Sequence, residues 1–481
     1  MSQKRLAYGV AYSPNDTTPP FVIRNLPKTD VKYVRVQWVD FSNQIRYKVL
    51  SRPYFLKLLG SSDRPGITTA AATLGIVAGA ASSGFSGIGE WLYVFDLDTL
   101  RWAGYEATGH HAVVMGYYQE EIPHPNAGVH IAVCPRTILG KVVRDAEDAA
   151  GIRFLAGVEH EFVLLSATSP ATAINSADWC VSSKLSSHSR EAKVLEEIAD
   201  VLQKSGVELQ MYHAEAAPGQ YEVITGPLSP LQAADTVIYT RETIYSIASK
   251  HGLRATFATR VRPGAFTAAH THLSVHDIDL KTQTFGEQKP FKHPSFGPTL
   301  TSTERSFLQG ILSELPSLLA LTYPTPFSYD RVQDGMWTGG PTVCWGTDHR
   351  EAPIRLTGAP GGHHFEIRCV DGTASPYLTL AALLAAGAAG VKKKLPLTFG
   401  DCRKAVINMT AAERAEVGLE NPKNLPKNIV DARDAMGKSD VIRNAFGDEF
   451  ITKYRLVNEE LEKHLTAVDG EERITRLVTM Y

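Results

Sequence analysis

An α+β fold in two domains, a small β-rich one ahead of a larger one, is what the sequence predicts, and three observations lead there. The chain has 481 residues, more than one hydrophobic core holds, so two or more domains are expected. Lys32 to Asp40 alternates in places between apolar and polar residues, Ser42-Asn43 makes a turn, and Ile45 to Leu50 returns, which reads as two strands. Further along, strands bearing paired polar groups are interleaved with stretches of helical periodicity.

Composition narrows the class. Apolar residues make up 43% and charged residues 21% of the chain, ordinary for a soluble globular enzyme. The 49 basic and 51 acidic residues nearly cancel, so no nucleic acid and no acidic membrane is expected as a partner. Five cysteines, Cys134, Cys180, Cys344, Cys369 and Cys402, are widely spaced, odd in number and form no CxxC. Free thiols in a reducing, cytoplasmic setting are the expectation, and the N-terminus reads as lacking a signal peptide. Ile67 to Ala81, rich in Ala, Gly and Thr, is too short to span a bilayer and is expected to be a packed loop or short helix.

In chain order, residues 1–29 carry Asn15-Asp16 and Pro19-Pro20 and are expected to be a loosely held tail. Residues 30–125 form the small β-rich domain, with a glycine- and serine-rich loop from Gly75 to Gly89 and a strand starting at Trp91. The adjacent His110 and His111 face opposite ways and are taken as structural. Pro123-His124-Pro125-Asn126 suggests a boundary, and residues 126–481 form the larger domain, opening with a helix from Arg136 to Ala150. A Ser-rich loop (Ser166 to Ser189) precedes a helix from Arg190 to Lys204, with Ala192, Leu195, Ile198 and Leu202 on one face. Ser229 as N-cap, Pro230 in the first turn and Gly252 past the end frame another helix. An Ala/Leu-rich helix follows Pro376, and two final helices are expected over Val441 to Leu465 and Gly470 to Met480.

The chemistry centres on Gly157 to Phe162 (GVEHEF), an acidic pair in an apolar strand. Alternate side chains of a strand share a face, so Glu159 and Glu161 point the same way, roughly 6.6 Å apart along it. The plain alternative is a solvated strand face. Two more segments repeat the pattern at period two, His270 with His272 and Ser274, and Glu366 with Arg368. Between them, the Pro218-Gly219 turn lets Glu215 and Glu222 converge on one point. Several ionised carboxylates on inward faces imply divalent cations or arginine partners. Carboxylates with one or two imidazoles and no thiolate suit magnesium or manganese over structural zinc. Arg331, Arg350, Arg355 and Arg368 belong to the residue type that binds phosphate and carboxylate bidentately. Metals and arginines without a Walker loop or dinucleotide fingerprint fit phosphoryl transfer by positioning and charge neutralisation. His213, His363 and His364 are as readily core or surface histidines as site residues, and Gly361-Gly362 reads as a turn.

From about residue 30 onward the chain resembles the glutamine synthetase family. The motifs are Cys134-Pro135-Arg136, GVEHEF at 157–162, HAEAAPGQYE at 213–222, AAHTHLS at 268–274, WGTDHREAPIR at 345–355 and FEIRCVDGTASPYL at 365–378. The resemblance implies an N-terminal β-grasp domain and a catalytic domain with a curved, mainly antiparallel sheet flanked by helices. It implies homo-oligomeric rings with active sites between subunits. It implies ATP and two or three magnesium or manganese ions, one site formed by Glu161, Glu215 and Glu222, the other by Glu159, His270 and Glu366. His272 and Ser274, with Arg355, would lie near ATP. Arg350, Arg355 and Arg368 would neutralise the transferred phosphoryl group, and Arg331 would grip the substrate α-carboxylate.

Departures from the family pattern sharpen the expectation. Ala80-Ala81-Ser82-Ser83 stands where the family carries Asp-Gly-Ser-Ser, and Trp337 stands where a flap glutamate closes over ammonia. A methyl and an indole in place of two acids suit an amine with an apolar body, since indole offers contact area and a face for a cation. Trp337 also resembles the pattern of γ-glutamyl-amine ligases in the family. Phe266-Thr267-Ala268 replaces the usual Gly-Ser-Gly at the amino-acid end of the pocket. The expected function is ATP-dependent joining of glutamate, or a related acid, to an organic amine. Authentic glutamine synthetase using ammonia and a non-catalytic assembly protein are the alternatives.

Overall fold

The alternation that begins near residue 32 is a strand, Tyr33–Val39, pairing antiparallel with Ile45–Ser51 and parallel with His111–His124. The computed structural model describes residues 10–125, 128–262, 265–279, 284–285, 299–335, 337 and 339–481. Residues 1–9 of the expected tail and Asn126 at the expected boundary lie outside them. The first sheet runs in the order Ile45–Ser51, Tyr33–Val39, His111–His124, Glu90–Trp102, Gly66–Ala70. Its β-branched and aromatic residues pack inward: Val34, Val36, Trp38, Tyr93 and Tyr118 are buried, and the Tyr93 and Tyr118 rings meet edge on at 4.8 Å.

The second sheet carries the candidate site. Its order is Leu209–Ala214, Gln220–Thr225, Ile152–Thr168, Thr271–Asp279, His364–Ile367, Ile354–Thr357, Trp345–Thr347, with three short strands off this path. Neighbours along it are antiparallel except the last pair. The acidic strand Ile152–Thr168 sits third, so both its edges are paired and its acids are held in register with those of the flanking strands. Helices Pro135–Ala150, Pro230–Lys250, Ser302–Thr322 and Pro376–Lys392 bury Leu139, Val237, Leu308, Leu315, Leu380 and Leu383 in a core that also takes Phe154 and Leu273 from the sheet. Three of these helices start with proline, whose missing N–H is no loss in the first turn. The fourth opens on a Thr301/Glu304 capping box. Among the described residues no helix is long and apolar enough to cross a membrane.

The two sheets are keyed together by Arg136, at the start of the first of these helices. Its guanidinium donates to Asp235 at 3.0 and 2.8 Å, to Asp96 at 2.9 Å and to the Gly116 carbonyl at 3.0 Å, while Tyr377 donates to Asp235 at 2.6 Å. Asp96 and Gly116 belong to the first sheet, Asp235 and Tyr377 to the helices behind the second. Tyr481 makes a second link: its hydroxyl donates to the Ser42 carbonyl at 2.8 Å, and its own carbonyl accepts from Phe257 N at 2.7 Å.

Three expectations are corrected. The described part of the tail is tied down: Phe21 N donates to Ser205 O, Ile23 N donates to Leu100 O, and Leu26 is buried. Its polar composition hid backbone bonds to two different elements. Ile67 to Ala81 holds a short helical turn, Ala71–Leu74, as expected, but strand on either side of it, because Gly66–Ala70 pairs with the edge of Glu90–Trp102 and Ile76–Val77 forms a small hairpin with Ala80–Ala81. The stretch from Val441 to Leu465 is two helices, Asp440–Phe446 and Asp448–Thr466, broken at Gly447. The second lays Phe450 against Phe41, in the turn that joins Tyr33–Val39 to Ile45–Ser51, ring centroids 5.2 Å apart. The helices expected at Arg190–Lys204, after Ser229 and at Gly470–Met480 form as expected.

Candidate active site

Strand register assembles the acids. Glu222 lies opposite Glu161 and Ile224 opposite Glu159, so the hairpin after the Pro218-Gly219 turn brings its acid to the acidic strand. On the other side, Glu159 N donates to the His270 carbonyl at 3.0 Å, and His272 pairs with Glu366 across the next strand. Arg355 pairs with Glu366 one strand further. Residues from four distant stretches thus meet because antiparallel pairing aligns their like faces.

Two groups result. In the first, ligand atoms of Glu159, His270 and Glu366 lie within 4.8 Å of one another. His270 Nδ1 is 2.8 Å from Glu159 Oε2 and 3.6 Å from Glu366 Oε1, and His272 Nε2 is 3.0 Å from Glu159 Oε1. In the second, His213, Glu215 and Glu222 come within the same reach. Glu161 stands between the groups, 3.8 Å from His270 Nδ1, and its Oε2 accepts from Gln220 Nε2 and from Ala268 N, each at 2.9 Å. His213 joins Glu215 and Glu222, at 3.7 and 3.5 Å, while Glu161 faces Glu222 from the neighbouring strand.

The electrostatics divide along the same line. Burial opposes ionisation of Glu159, but His272 and His270 hold it well below the ordinary carboxylate range. Glu366, fully buried, is likewise held down against burial by His270 and Arg368, and both Arg355 and Arg368 donate to it. Glu161 is pushed well above that range by burial and by the charges of Glu222 and Glu215. Burial, with Glu159 and Glu215 nearby, lifts Glu222 to about 7, and its hydrogen bond lifts His213 to about 9.

These residues fit divalent cations. The donor set is carboxylate and imidazole oxygen and nitrogen with no thiolate, as hard cations prefer. Glu161 and Glu222 are destabilised as anions by their own crowding, a cost a cation removes. His270 Nε2 is buried with no hydrogen-bond partner among the described residues.

Two cavities open over the sheet. The first, about 900 Å³, is walled by Glu159, Glu161, His213, Glu215, Glu222 and His270, and by Arg331, Arg350, Arg355 and Arg368, with Trp337 also facing it. Glu366 lies beneath this wall, with no exposed surface. Arg331 is buried, its Nε donating to the Tyr323 hydroxyl at 3.2 Å. Arg355, expected near the nucleotide, lines this first cavity. His272 and Ser274 line the second cavity, about 580 Å³, with His364 and the Gly361-Gly362 turn. Glu159, Met211 and Ile224 border both, so the cavities join across the acidic strand.

Trp337 is 57% exposed, which rules out a core role. It stacks near Trp179, ring centroids 5.9 Å apart and planes tilted by 48°, and Trp179 is 51% exposed on the same cavity. Trp179 sits in the Ser-rich loop, where no periodicity marked it. His213 did carry a signal, since it precedes Glu215 by two residues, the same spacing that singled out Glu159 and Glu161, and although the strand ends at Ala214 the two side chains lie 3.7 Å apart. The Ala80–Ala81 hairpin does not line either cavity of its own chain.

An antiparallel sheet carrying clustered acids and arginines over joined cavities is the arrangement of a particular class of proteins. Residues 132–473 match the glutamine synthetase catalytic domain, and the chain belongs to that family. It is 36% identical over 462 residues to protein fluG of Emericella nidulans, covering 94% of this chain and 49% of fluG, so it spans about half of that relative. It is 32% identical over 361 residues to the gamma-glutamylpolyamine synthetase GlnA3 of Streptomyces coelicolor, 73% of this chain and 72% of that one. To glutamine synthetase of Methanocaldococcus jannaschii it is 29% identical over 464 residues, 93% and 95% of the two chains. The solved complex of GmaS with ADP shares the fold, with a TM-score of 0.74 over 94% of this chain and 98% of that one at 22% identity.

Proposed function

We propose that the protein is an ATP-dependent carboxylate-amine ligase that joins the γ-carboxylate of glutamate, or of a related acid, to an organic amine through an acyl phosphate. The observation carrying this reading is one cavity whose acids and five arginines share their wall with two exposed indoles. Acids and arginines serve phosphoryl transfer, which is positioning and charge neutralisation. Indoles have no use for ammonia but give contact area and a π face to an ammonium with an apolar body.

Arg331, fixed by Tyr323, grips the α-carboxylate of the acid. Arg350, Arg355 and Arg368 face the phosphates, and Glu366 keeps the last two in place. Magnesium or manganese held by Glu159, His270 and Glu366, and by Glu215 and Glu222 with Glu161 or His213, would neutralise phosphate charge there. The γ-carboxylate oxygen bonds to the terminal phosphorus of ATP as the bond to ADP breaks, and ADP keeps the electron pair. The amine, having given one proton to solvent, bonds through nitrogen to the acyl carbon; the carbon-oxygen bond to phosphate breaks, and the second proton leaves with phosphate. Arg262 and Arg350, both exposed on the cavity wall, oppose a second positive charge on the amine. The relative named for polyamines supports an organic amine as acceptor, but these arginines favour a monoamine with an alkyl or aryl body. The active unit in this reading is a homo-oligomeric ring, the exposed Ala80–Ala81 hairpin of one subunit closing the cavity of the next.

The test is phosphate release from ATP with glutamate and magnesium, against equal concentrations of ammonium, ethanolamine, alkylamines, phenethylamine and putrescine. Release that needs a monoamine and exceeds the ammonium rate is expected. A faster ammonium reaction would make the protein a glutamine synthetase. No release with any amine would overturn the ligase reading for glutamate.

A further inference from the structure

The segment that the sequence presents as a tail crosses the second cavity. Val10 and Tyr12 line it. On one bank Ala11 lies against the Gly361-Gly362 turn, so near that a Cβ added to Gly362 would stand 3.1 Å from the Ala11 methyl. On the other bank the Tyr12 hydroxyl donates to Glu208 Oε1 and accepts from Gln210 Nε2 at 2.9 Å. Further on, the Phe21 and Ile23 amides bond to Ser205 and Leu100, which fixes the direction of approach.

The cavity floor is four adjacent strands, from Leu209–Ala214 across to Thr271–Asp279. At the usual strand spacing that is about 14 Å. The second cavity shares Glu159 with the first, and its floor sets the apolar Leu155, Ile224 and Pro227 beside Thr225, His272 and Ser274. A molecule with a polyanionic end and a flat end fits this layout, the charged end passing Glu159 to reach Arg355 and Arg368 of the first cavity and the flat end under the strap. The Tyr12 hydroxyl already has two partners, so what it offers a ligand is the face of its ring.

We propose that residues 10–12 are a nucleotide-binding strap, in which Tyr12, pinned by Glu208 and Gln210, covers the nucleoside half of bound ATP and sets how tightly it is held. This rests on reading the second cavity as the nucleotide subsite. Tyr12 is a positioning residue: it packs on the base and stays away from the reacting phosphate. Pinning matters because a ring held in place stacks without first losing rotamer freedom.

The test is equilibrium binding of ADP with magnesium to the full chain, for wild type, Tyr12→Ala and Tyr12→Phe, beside steady-state KM and kcat. Tyr12→Ala is expected to weaken ADP binding about tenfold, the scale of one lost stacking contact. Tyr12→Phe keeps the ring, frees it from both partners and falls in between, about threefold. KM for ATP rises in step, while KM for the acid moves less than about twofold and kcat follows neither. ADP binding unchanged in both variants would overturn the strap and leave the ligase reading intact. Equal losses for ADP and the acid would show a general structural role and overturn it too. Wild type that binds no ADP would remove the nucleotide subsite, and the strap with it.

Discussion

At the scale of single residues, the cavity's selectivity turns on Trp337 and its neighbour Trp179. Trp337→Glu returns an anion to the wall facing the incoming amine, so the ratio of ammonium to organic-amine turnover is expected to rise about tenfold or more, the scale of one desolvated ion pair. Trp179→Ala, which removes the other half of the pair, raises KM for the amine while leaving KM for the acid; competition kinetics read both. The acids make a second statement. Glu222 is raised from 4.5 to about 7 on folding, so the folded state binds the extra proton and stability falls as pH rises through that window. His213 is raised from 6.5 to about 9, so its stabilisation is complete below 6.5 and disappears as pH climbs through 9. Both slopes have the same sign. Thermal midpoints in EDTA are expected to decline from pH 5 to 9, and magnesium, which binds the deprotonated forms, to flatten the decline. Glu222→Gln should remove the lower part of the slope; an unchanged slope in that variant would refute the assignment.

At the scale of elements, what the sequence disclosed followed from periodicity. Glu159, Glu161, His270 and Glu366 were legible because alternate positions on a strand share a face, and pairing then brought those faces together. Trp179 and Tyr12 were not, because each lies in irregular chain whose path is set by partners far away in sequence: Trp337 for one, Glu208 and Gln210 for the other. The break at Gly447 escaped because apolar spacing continues across it. The hairpin from Leu209–Ala214 to Gln220–Thr225 depends on Gly219, whose φ is +70° and whose added Cβ would meet the Leu164 carbonyl at 2.8 Å. Gly219→Ala is expected to cost about 1–2 kcal/mol from the left-handed backbone alone. Because this turn places both Glu215 and Glu222, activity per folded molecule should fall further than stability, as urea unfolding and turnover measured side by side would show.

At the scale of the whole molecule, the two sheets share one core and are held by Arg136 and Tyr481. Tyr481 is 2% exposed and reaches the first sheet through Ser42. Tyr481→Ala should lower unfolding free energy by about 3–5 kcal/mol, the range for a buried aromatic removed from a packed site. A loss under about 1 kcal/mol would mean that the neighbours close over the gap. Arg136 has a different consequence. Its charge is matched by one acid from each half of the molecule, Asp96 and Asp235. Exchanging the N-terminal half for that of a distant relative therefore leaves a buried guanidinium or carboxylate short of a counter-charge, at about 3–5 kcal/mol, unless both sides of the key are transplanted together. The halves are not interchangeable cassettes, and substitutions at positions 96, 136 and 235 are expected to be tolerated only in concert.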